Sequence, residues 1–281
     1  MRVIETISEL KDQIRLEKAD GRSIGLVPTM GFLHEGHLTL AKKAREENDV
    51  VVMTIFVNPL QFGPNEDFDL YPRDLERDKE LALQAGVDIL FTPATEDMYP
   101  DQPVVSMKVL ERTDALCGQK REGHFDGVVT VVTKLFHLSE ADKAYFGLKD
   151  AQQVAVLEGL VKTFNFPVEL IGVDTVREED GLAKSSRNVY LDEQERKAAP
   201  AIYQALKAGK EMAMQGEMQP DQITAYVSEY LSKHTGAVVD YAELLSYPDL
   251  KPLEETKGQV ILAAAVKFSK ARLIDNLIFT L

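Results

Sequence analysis

The stretch SIGLVPTMGFLHEGHLTLAKKAREEN, residues 23–48, decides the fold. SIGLV (23–27) reads as a buried strand. Gly31 and Gly36 mark a turn, and HLTLAKKAREEN (37–48) sets Leu38, Ala41 and Ala44 at helical spacing. A strand that runs straight into an amphipathic helix is the first half of a β–α–β unit, provided the pattern repeats.

Downstream it does repeat. DVVVMTIFV (49–57) is rich in β-branched residues and stops at Asn58-Pro59. LERDKELALQAG (75–86) is helical in pattern, with Gly86 as its stop. VDILFTP (87–93) reads as a short buried strand. FDGVVTVVTKLFHLSE (125–140) has the β-branched content of a strand, but its length and the spacing of Val128, Val132 and Leu135 favour a helix. ADKAYFG (141–147) is a strand, DAQQVAVLEGLVKTFNF (150–166) a helix with Val154, Leu157, Val161 and Phe164 on one face, and VELIGVD (168–174) a further strand. Such alternation predicts an α/β fold with a Rossmann-like, doubly wound parallel sheet, whose ligands sit beyond the carboxyl ends of the strands.

The pattern changes near residue 175. REEDGLAKSSRN (177–188) is a polar loop, two helical stretches follow at about 192–215 and 220–234, and three strand-like segments close the chain. Helices followed by strands predict a separate, smaller α+β domain. The expected organisation is a first domain over 1–175 and a second over 176–281.

Composition narrows the function. The net charge of −14 repels polyphosphate backbones and no basic block offsets it, so a nucleic-acid partner is disfavoured. The longest apolar run, residues 50–57, is too short to span a bilayer, and MRVIETISELKDQ is amphipathic without the features of a signal peptide. Cys117 is the only cysteine, which excludes an internal disulfide and fits a reducing, cytoplasmic setting. With no evident base partner, Cys117 is a weak nucleophile candidate.

Three segments carry candidate chemistry. In the first, Met30, Gly31, Phe32, Leu33, His34, Glu35, Gly36 and His37 follow a strand and open a helix. The two glycines permit close backbone approach, and free N–H groups at a helix start suit an anion. His34 and His37 lie three apart, so both rings can face one side and donate to phosphate oxygens. A plain junction with surface histidines and a zinc pair are the competing readings. The second, FGLKDAQQ (146–153), repeats the strand–glycine–helix order. Lys149 there opposes the helix dipole unless an anion binds between them, and Asp150 can cap the helix. A solvated lysine beside a capping aspartate is the alternative. In the third, Lys184, Ser185, Ser186 and Arg187 line up four donors in a Gly-led loop at the expected domain junction. An ordinary polar loop has the same composition.

HxGH after the first strand and KSSR after the last resemble the HIGH and KMSKS signatures of the nucleotidyltransferase superfamily. A closer resemblance is carried by PTMGFLHEGH (28–37), FVNPLQFGPNEDFDLYPR (56–73), REGHFDGVVTVVTKLF (121–136), FGLKDAQQ (146–153) and GLAKSSRN (181–188). Together, and in this order, they are similar to the pantothenate synthetase (pantoate–β-alanine ligase) family over essentially the whole chain. One departure is visible: the family often reads LAMSSR, and Lys184 stands in place of the methionine.

The resemblance implies ATP-dependent condensation of pantoate with β-alanine through a pantoyl adenylate, with release of AMP and pyrophosphate. It implies that Met30 to His37 line the ATP site, with His34 and His37 on phosphates and His37 acting either as a proton donor or by stabilising phosphate charge. Gly147, Leu148, Lys149 and Asp150 would meet the nucleotide, Lys149 at the phosphate under attack. Val176 would pack near adenine, with Lys184, Ser185, Ser186 and Arg187 on the triphosphate. Gln61 and Gln153 would bind pantoate, each amide both donating and accepting. Asn58 and Tyr71 would shape the β-alanine side, and Arg121 would guide small anions or form a rim salt bridge. Mg²⁺ would accompany ATP, with Asp78 as an outer ligand or, alternatively, part of a solvated helix face with Asp74. The family resemblance further implies a homodimer formed through the first domain.

Overall fold

The structure is a computed structural model that describes residues 1–64, 66–216, 218–253 and 257–281. Asn65 of the FVNPLQFGPNEDFDLYPR motif lies outside the described residues.

In chain order the elements begin with β1 (Arg2–Ile4), α1 (Ile7–Ala19), β2 (Ile24–Thr29), α2 (Glu35–Glu47) and β3 (Val50–Ile55). Next come α3 (Leu75–Gln84), β4 (Ile89–Phe91), α4 (Thr95–Met98), α5 (His124–Ser139) and β5 (Lys143–Gly147). The chain continues through α6 (Ala151–Phe164), β6 (Glu169–Val173), α7 (Glu193–Ala198), α8 (Ala201–Gln215) and α9 (Pro220–Thr235). It ends in β7 (Val238–Ser246), β8 (Gln259–Lys267) and β9 (Arg272–Thr280). Single 3₁₀ turns lie at Pro59–Gln61, Leu148–Asp150 and Ser186–Tyr190.

Contacts divide the chain into two compact units. The first comprises Met1–Leu110, Arg121–Leu148 and Val156–Asp174. It holds a six-stranded sheet in the order β1-β4-β3-β2-β5-β6, and every pairing is parallel. β2 to β4 read as near-continuous apolar runs because both faces of a parallel sheet are covered by helices. Val27, Leu33, Leu40, Met53, Leu90 and Tyr145 pack in one core under α2 and α3. The strand order reverses at β2, which pairs with β3 on one side and β5 on the other. A crevice opens at such a switch point, beyond the carboxyl ends of β2 and β5. The loop that starts at Met30 and the turn that starts at Gly147 both leave the sheet there.

The second unit comprises Glu111–Lys120, Lys149–Ala155 and Thr175–Leu281. Its antiparallel sheet β7-β8-β9 packs Val260, Leu262, Ala264 and Val266 against Ile202, Leu206, Ile223 and Val227 of α8 and α9. Two short segments from the first 175 residues group here for a packing reason. Ala115, Leu116, Ala151 and Ala155 share a buried cluster with Leu245, Leu250, Ile261 and Ala263.

Local details differ from the sequence pattern in three places. The single helix expected over 192–215 is two, α7 and α8, broken at Ala199–Pro200, where proline supplies no N–H for a continuing ladder. Phe164, expected on the buried face of α6, is 59% exposed in its last turn. The N-terminal segment read only as amphipathic begins with β1, whose three residues are too few for a periodicity to show.

Candidate active site

The first loop is built by its cap. His34 is extended at φ −135°, ψ 173°, and stands as the N-cap of α2. Its Nδ1 accepts the N–H of Gly36 at 3.2 Å, and Nδ1 of His37 accepts the N–H of His34 at 3.4 Å. Two imidazoles thus perform the reciprocal exchange usually made by Ser/Thr and Glu/Gln. A backbone N–H can only donate, so each neutral ring carries its proton on Nε2. The rings lie 4.0 Å apart between centroids, and the donor of each is its Nε2–H, beside the positive end of α2. Gly36 is required because a Cβ there would stand 2.9 Å from the His34 ring.

Asp78 holds the rest of the loop. It is 1% exposed, in the first turn of α3. Its Oδ2 accepts Phe32 N–H and its Oδ1 accepts Leu33 N–H, both at 2.7 Å. Burial pushes its carboxyl up, against the pull of those two amides. The neighbouring Arg77 donates to Leu33 O at 2.9 Å and lies over the Phe32 ring. Thr29 Oγ1 receives Gly31 N–H at 3.1 Å and donates to Thr54 O. The loop needs these clamps because Gly31 and Phe32 both have positive φ, +83° and +49°. Asp78 therefore does not sit on a solvated face with Asp74, as its spacing suggested. Asp74 instead caps α3 through Arg77 N–H.

The exit of β3 meets the same loop. Gln61 is buried, and its Nε2 reaches Met30 Sδ at 3.5 Å. Its Oε1 accepts from Asn58 Nδ2 at 3.2 Å. Asn58 is 1% exposed and its amide is fully engaged. Nδ2 also donates to Gly127 O at 3.1 Å, while Oδ1 accepts from Tyr99 Oη at 2.9 Å and from Leu60 N–H at 3.4 Å. The close approach of α5 is what a glycine allows, since a Cβ at Gly127 would meet Leu60 O at 2.2 Å. Tyr71 is buried edge-on against Phe62.

Arg121 is held rather than rim-exposed. It grips Glu66 with two hydrogen bonds of 2.7 and 2.6 Å and donates to His124 Nε2 at 2.9 Å. His124 then donates from Nδ1 to Gln61 O at 2.8 Å. Burial raises the Glu66 carboxyl, but the hydrogen bond and charge of Arg121 outweigh it, and the group stays below its ordinary range.

In the second unit, Lys149 and Ser185 line one pocket, together with Leu182, Ala183, Asn188, Ile202, Leu273, Ile274 and Asp275. Lys149 pairs with Asp150 at 3.7 Å, and its carbonyl accepts Asn276 Nδ2 at 2.9 Å. The 3₁₀ turn runs on into α6, so Asp150 lies within the helical run rather than in front of it. Ser185 caps its own turn by accepting Arg187 N–H at 3.3 Å, and Ser186 is buried. Lys184 N–H bonds Val176 O at 2.9 Å, and its ammonium pairs with Glu178 at 3.1 Å. Gln153 is partly exposed on α6, whereas its neighbour Gln152 is buried with its amide spent on Cys117, Arg112 and Ala115. Cys117 Sγ has Tyr241 Oη and Arg272 Nη1 each at 3.3 Å.

Several supports were not legible in the chain. Arg177 makes a bidentate pair with Asp275 at 2.6 and 3.0 Å and stacks on Tyr203. Burial pushes Asp275 up and Arg177 opposes it. Asp78, Tyr99, Asp275 and Asn276 act through partners remote in sequence, and His124 links its near neighbour Arg121 to the remote Gln61 O, so spacing alone did not show these contacts. Among the described residues no group of three or more His, Cys, Asp or Glu is placed to hold a metal ion, and no helix is long and apolar enough to cross a membrane.

Comparison with known proteins identifies the family of the chain. Residues 2–278 match the family model described as pantoate-beta-alanine ligase. A pantothenate synthetase of Bacillus pumilus (strain SAFR-032) is 61% identical over 279 residues, covering 99% of this chain and 96% of the relative. One of Bacillus subtilis (strain 168) is 60% identical over 278 residues, covering 99% and 97%. Among solved structures, a pantothenate synthetase from Thermus thermophilus superposes with a TM-score of 0.93 at 47% identity, covering 99% of each chain. A pantoate-beta-alanine ligase from Francisella tularensis, complexed with beta-gamma ATP and beta-alanine, superposes with a TM-score of 0.79 at 34% identity, covering 99% of this chain and 97% of that one. A family match that spans both units, with relatives alike over nearly their whole length, places this enzyme in the pantoate–β-alanine ligase family.

Proposed function

We propose that this enzyme condenses pantoate with β-alanine to give pantothenate, using ATP and passing through a pantoyl adenylate. The observation that carries the reading is the imidazole pair at the N-terminus of α2, at the sheet's switch point, in a chain of this family. A carboxylate is a poor electrophile, so pantoate is activated first. One of its carboxylate oxygens bonds to the α-phosphorus of ATP, the bond to the β-phosphate oxygen breaks, and pyrophosphate leaves. The amine of β-alanine then attacks the acyl carbon, loses a proton, and AMP departs with the former carboxylate oxygen.

The residues divide this work. His34 and His37 donate Nε2–H to phosphate oxygens as negative charge builds, and need no net charge to do so. Lys149 supplies a cation for the phosphate under attack, and its opposition to the helix dipole favours an anion at that point. Ser185, Ser186 and Arg187 take the β- and γ-phosphates, Val176 packs near adenine, and Asp150 holds ribose hydroxyls. Lys184 contributes its backbone, since its ammonium is paired with Glu178. Gln61 and Gln153 hold pantoate, and Tyr71 bounds the β-alanine side. Asn58 and Arg121 act behind Gln61 rather than on substrate, because their polar groups are engaged within the protein.

Magnesium would accompany the nucleotide as part of the substrate and would help neutralise the phosphate charge. Asp78 is buried and takes a backbone N–H of the loop on each oxygen, which favours a loop-holding role over that of an outer ligand. By the family resemblance, we also propose a homodimer, which sedimentation equilibrium tests.

The test is isotope exchange. With ATP, Mg²⁺ and labelled pyrophosphate, label is expected to enter ATP only when pantoate is present, and AMP to appear only after β-alanine is added. A stable nucleotidylated product would instead mark a nucleotidyltransferase without the second step. Absence of exchange and of AMP would mark a nucleotide-binding protein that is not a ligase.

A further inference from the structure

We infer that Tyr99 and Asn58 form a relay that fixes the polarity of the Gln61 amide, so that Gln61 meets its substrate as a hydrogen-bond donor. The inference rests on the reading that pantoate lies against Gln61.

The relay follows from donors and acceptors alone. A backbone carbonyl only accepts, so the Asn58 atom 3.1 Å from Gly127 O must be its nitrogen. A backbone N–H only donates, so the Asn58 atom facing Leu60 N–H must be its oxygen. Both contacts favour the same orientation, but the one to Leu60 is long, at 3.4 Å, and holds the oxygen weakly. Tyr99 adds a third, because its hydroxyl donates to the same Asn58 oxygen at 2.9 Å. Burial pushes the Tyr99 phenol up, so that proton stays in place across the working pH range. The second N–H of Asn58 Nδ2 points at Gln61, which must answer with Oε1, at 3.2 Å. Gln61 Nε2 is thereby turned the other way, toward Met30 Sδ in the loop that opens α2.

An isolated glutamine would donate or accept with equal ease, as its sequence position alone suggests. Here the oxygen is committed to Asn58, one Nε2–H is directed at Met30 Sδ, and the other is the group offered to substrate. A carboxylate or hydroxyl oxygen satisfies it, and a second donor does not. The arrangement favours a ligand that offers an acceptor oxygen to Gln61 Nε2. Tyr99 and Asn58 are positioning residues, because they act on substrate only through Gln61.

Steady-state kinetics of Tyr99→Phe, Gln61→Ala and the double variant test this. Phenylalanine keeps the ring against Phe56 and under Lys134, so the fold is retained. Loss of one buried neutral hydrogen bond corresponds to about a 3- to 10-fold change. The expected result for Tyr99→Phe is a rise of that size in KM for pantoate, larger than any change in kcat or in KM for ATP. In the double variant the Tyr99→Phe effect is expected to vanish, because the amide it steers is gone. Additive effects in the double variant, or an unchanged pantoate KM in Tyr99→Phe alone, would overturn the relay. If Gln61→Ala leaves pantoate KM unchanged, the placement of pantoate fails and the relay falls with it. A raised pantoate KM in Gln61→Ala beside a silent Tyr99→Phe overturns the relay only.

Discussion

Asp78 Oδ1 and the amide of Leu33 lie 2.7 Å apart, and Asp78 Oδ2 lies equally close to the amide of Phe32. One buried carboxylate thus closes the loop in front of α2 from a helix more than forty residues away. Asn at position 78 would replace one acceptor with a donor facing an N–H. Asp78→Asn is expected to cost about 1–3 kcal/mol of stability, read as a lower urea midpoint, and to raise KM for ATP. The dependence of rate on free Mg²⁺ should keep its wild-type midpoint; a shift of that midpoint would make Asp78 a metal ligand after all.

Gly36→Ala separates stability from activity. Alanine suits a helical position better than glycine by about 0.5–1 kcal/mol. Its Cβ, however, would press on the His34 ring at 2.9 Å and displace the donor. Displacing His34 also breaks its cap bond to Gly36 N–H, which offsets the helix gain, so the melting temperature should stay near wild type or fall slightly while pyrophosphate exchange falls about tenfold or more. Full exchange activity in this variant would remove His34 from the phosphate site.

Lys149→Ala should slow the exchange reaction by on the order of 10²–10³-fold, the usual cost of one transition-state donor. Tight ATP binding with this slow exchange, followed by calorimetry, would assign the lysine to the chemical step. A near-normal exchange rate would take it out of the mechanism.

Acid stability depends in part on Glu47. Hydrogen bonds from Lys43, then Lys143, then Tyr145 lower its carboxyl to about 2. The folded state holds this proton more weakly than the unfolded chain, whose value is the ordinary 4.5. The contribution is therefore complete above about pH 4.5 and is lost as pH falls toward 2. Urea midpoints of Glu47→Gln should fall below wild type at neutral pH and converge with it near pH 2. A constant gap between the two across that range would exclude the linkage.

Much of this architecture was readable before any coordinates, for a local reason. Strands β2 to β6 and helices α2, α3, α5 and α6 each announce themselves by period and by a stop residue such as Gly86. The HxGH and KSSR segments stood out by their glycines, histidines and clustered donors, a composition that a plain junction and an ordinary polar loop share. What stayed hidden depends on partners far along the chain. Asn58 was expected to shape the β-alanine side, and no spacing showed that its amide joins Tyr99, Gly127 and Gln61. Arg121 offered the choice of an anion guide or a weak rim pair, and the structure shows a two-bond grip on Glu66 with a link to His124. The grouping of residues 149–155 with the second unit follows from small side chains, Ala151 and Ala155, whose packing partners no spacing could name.

The most direct measurement of the adenylate route follows an oxygen atom. Pantoate labelled with ¹⁸O in its carboxylate is supplied with ATP, Mg²⁺ and β-alanine, and the products are resolved by ³¹P NMR. Attack of the carboxylate on the α-phosphorus predicts ¹⁸O in the phosphate of AMP and none in pyrophosphate. Label in inorganic phosphate, or AMP free of label, would contradict a pantoyl adenylate.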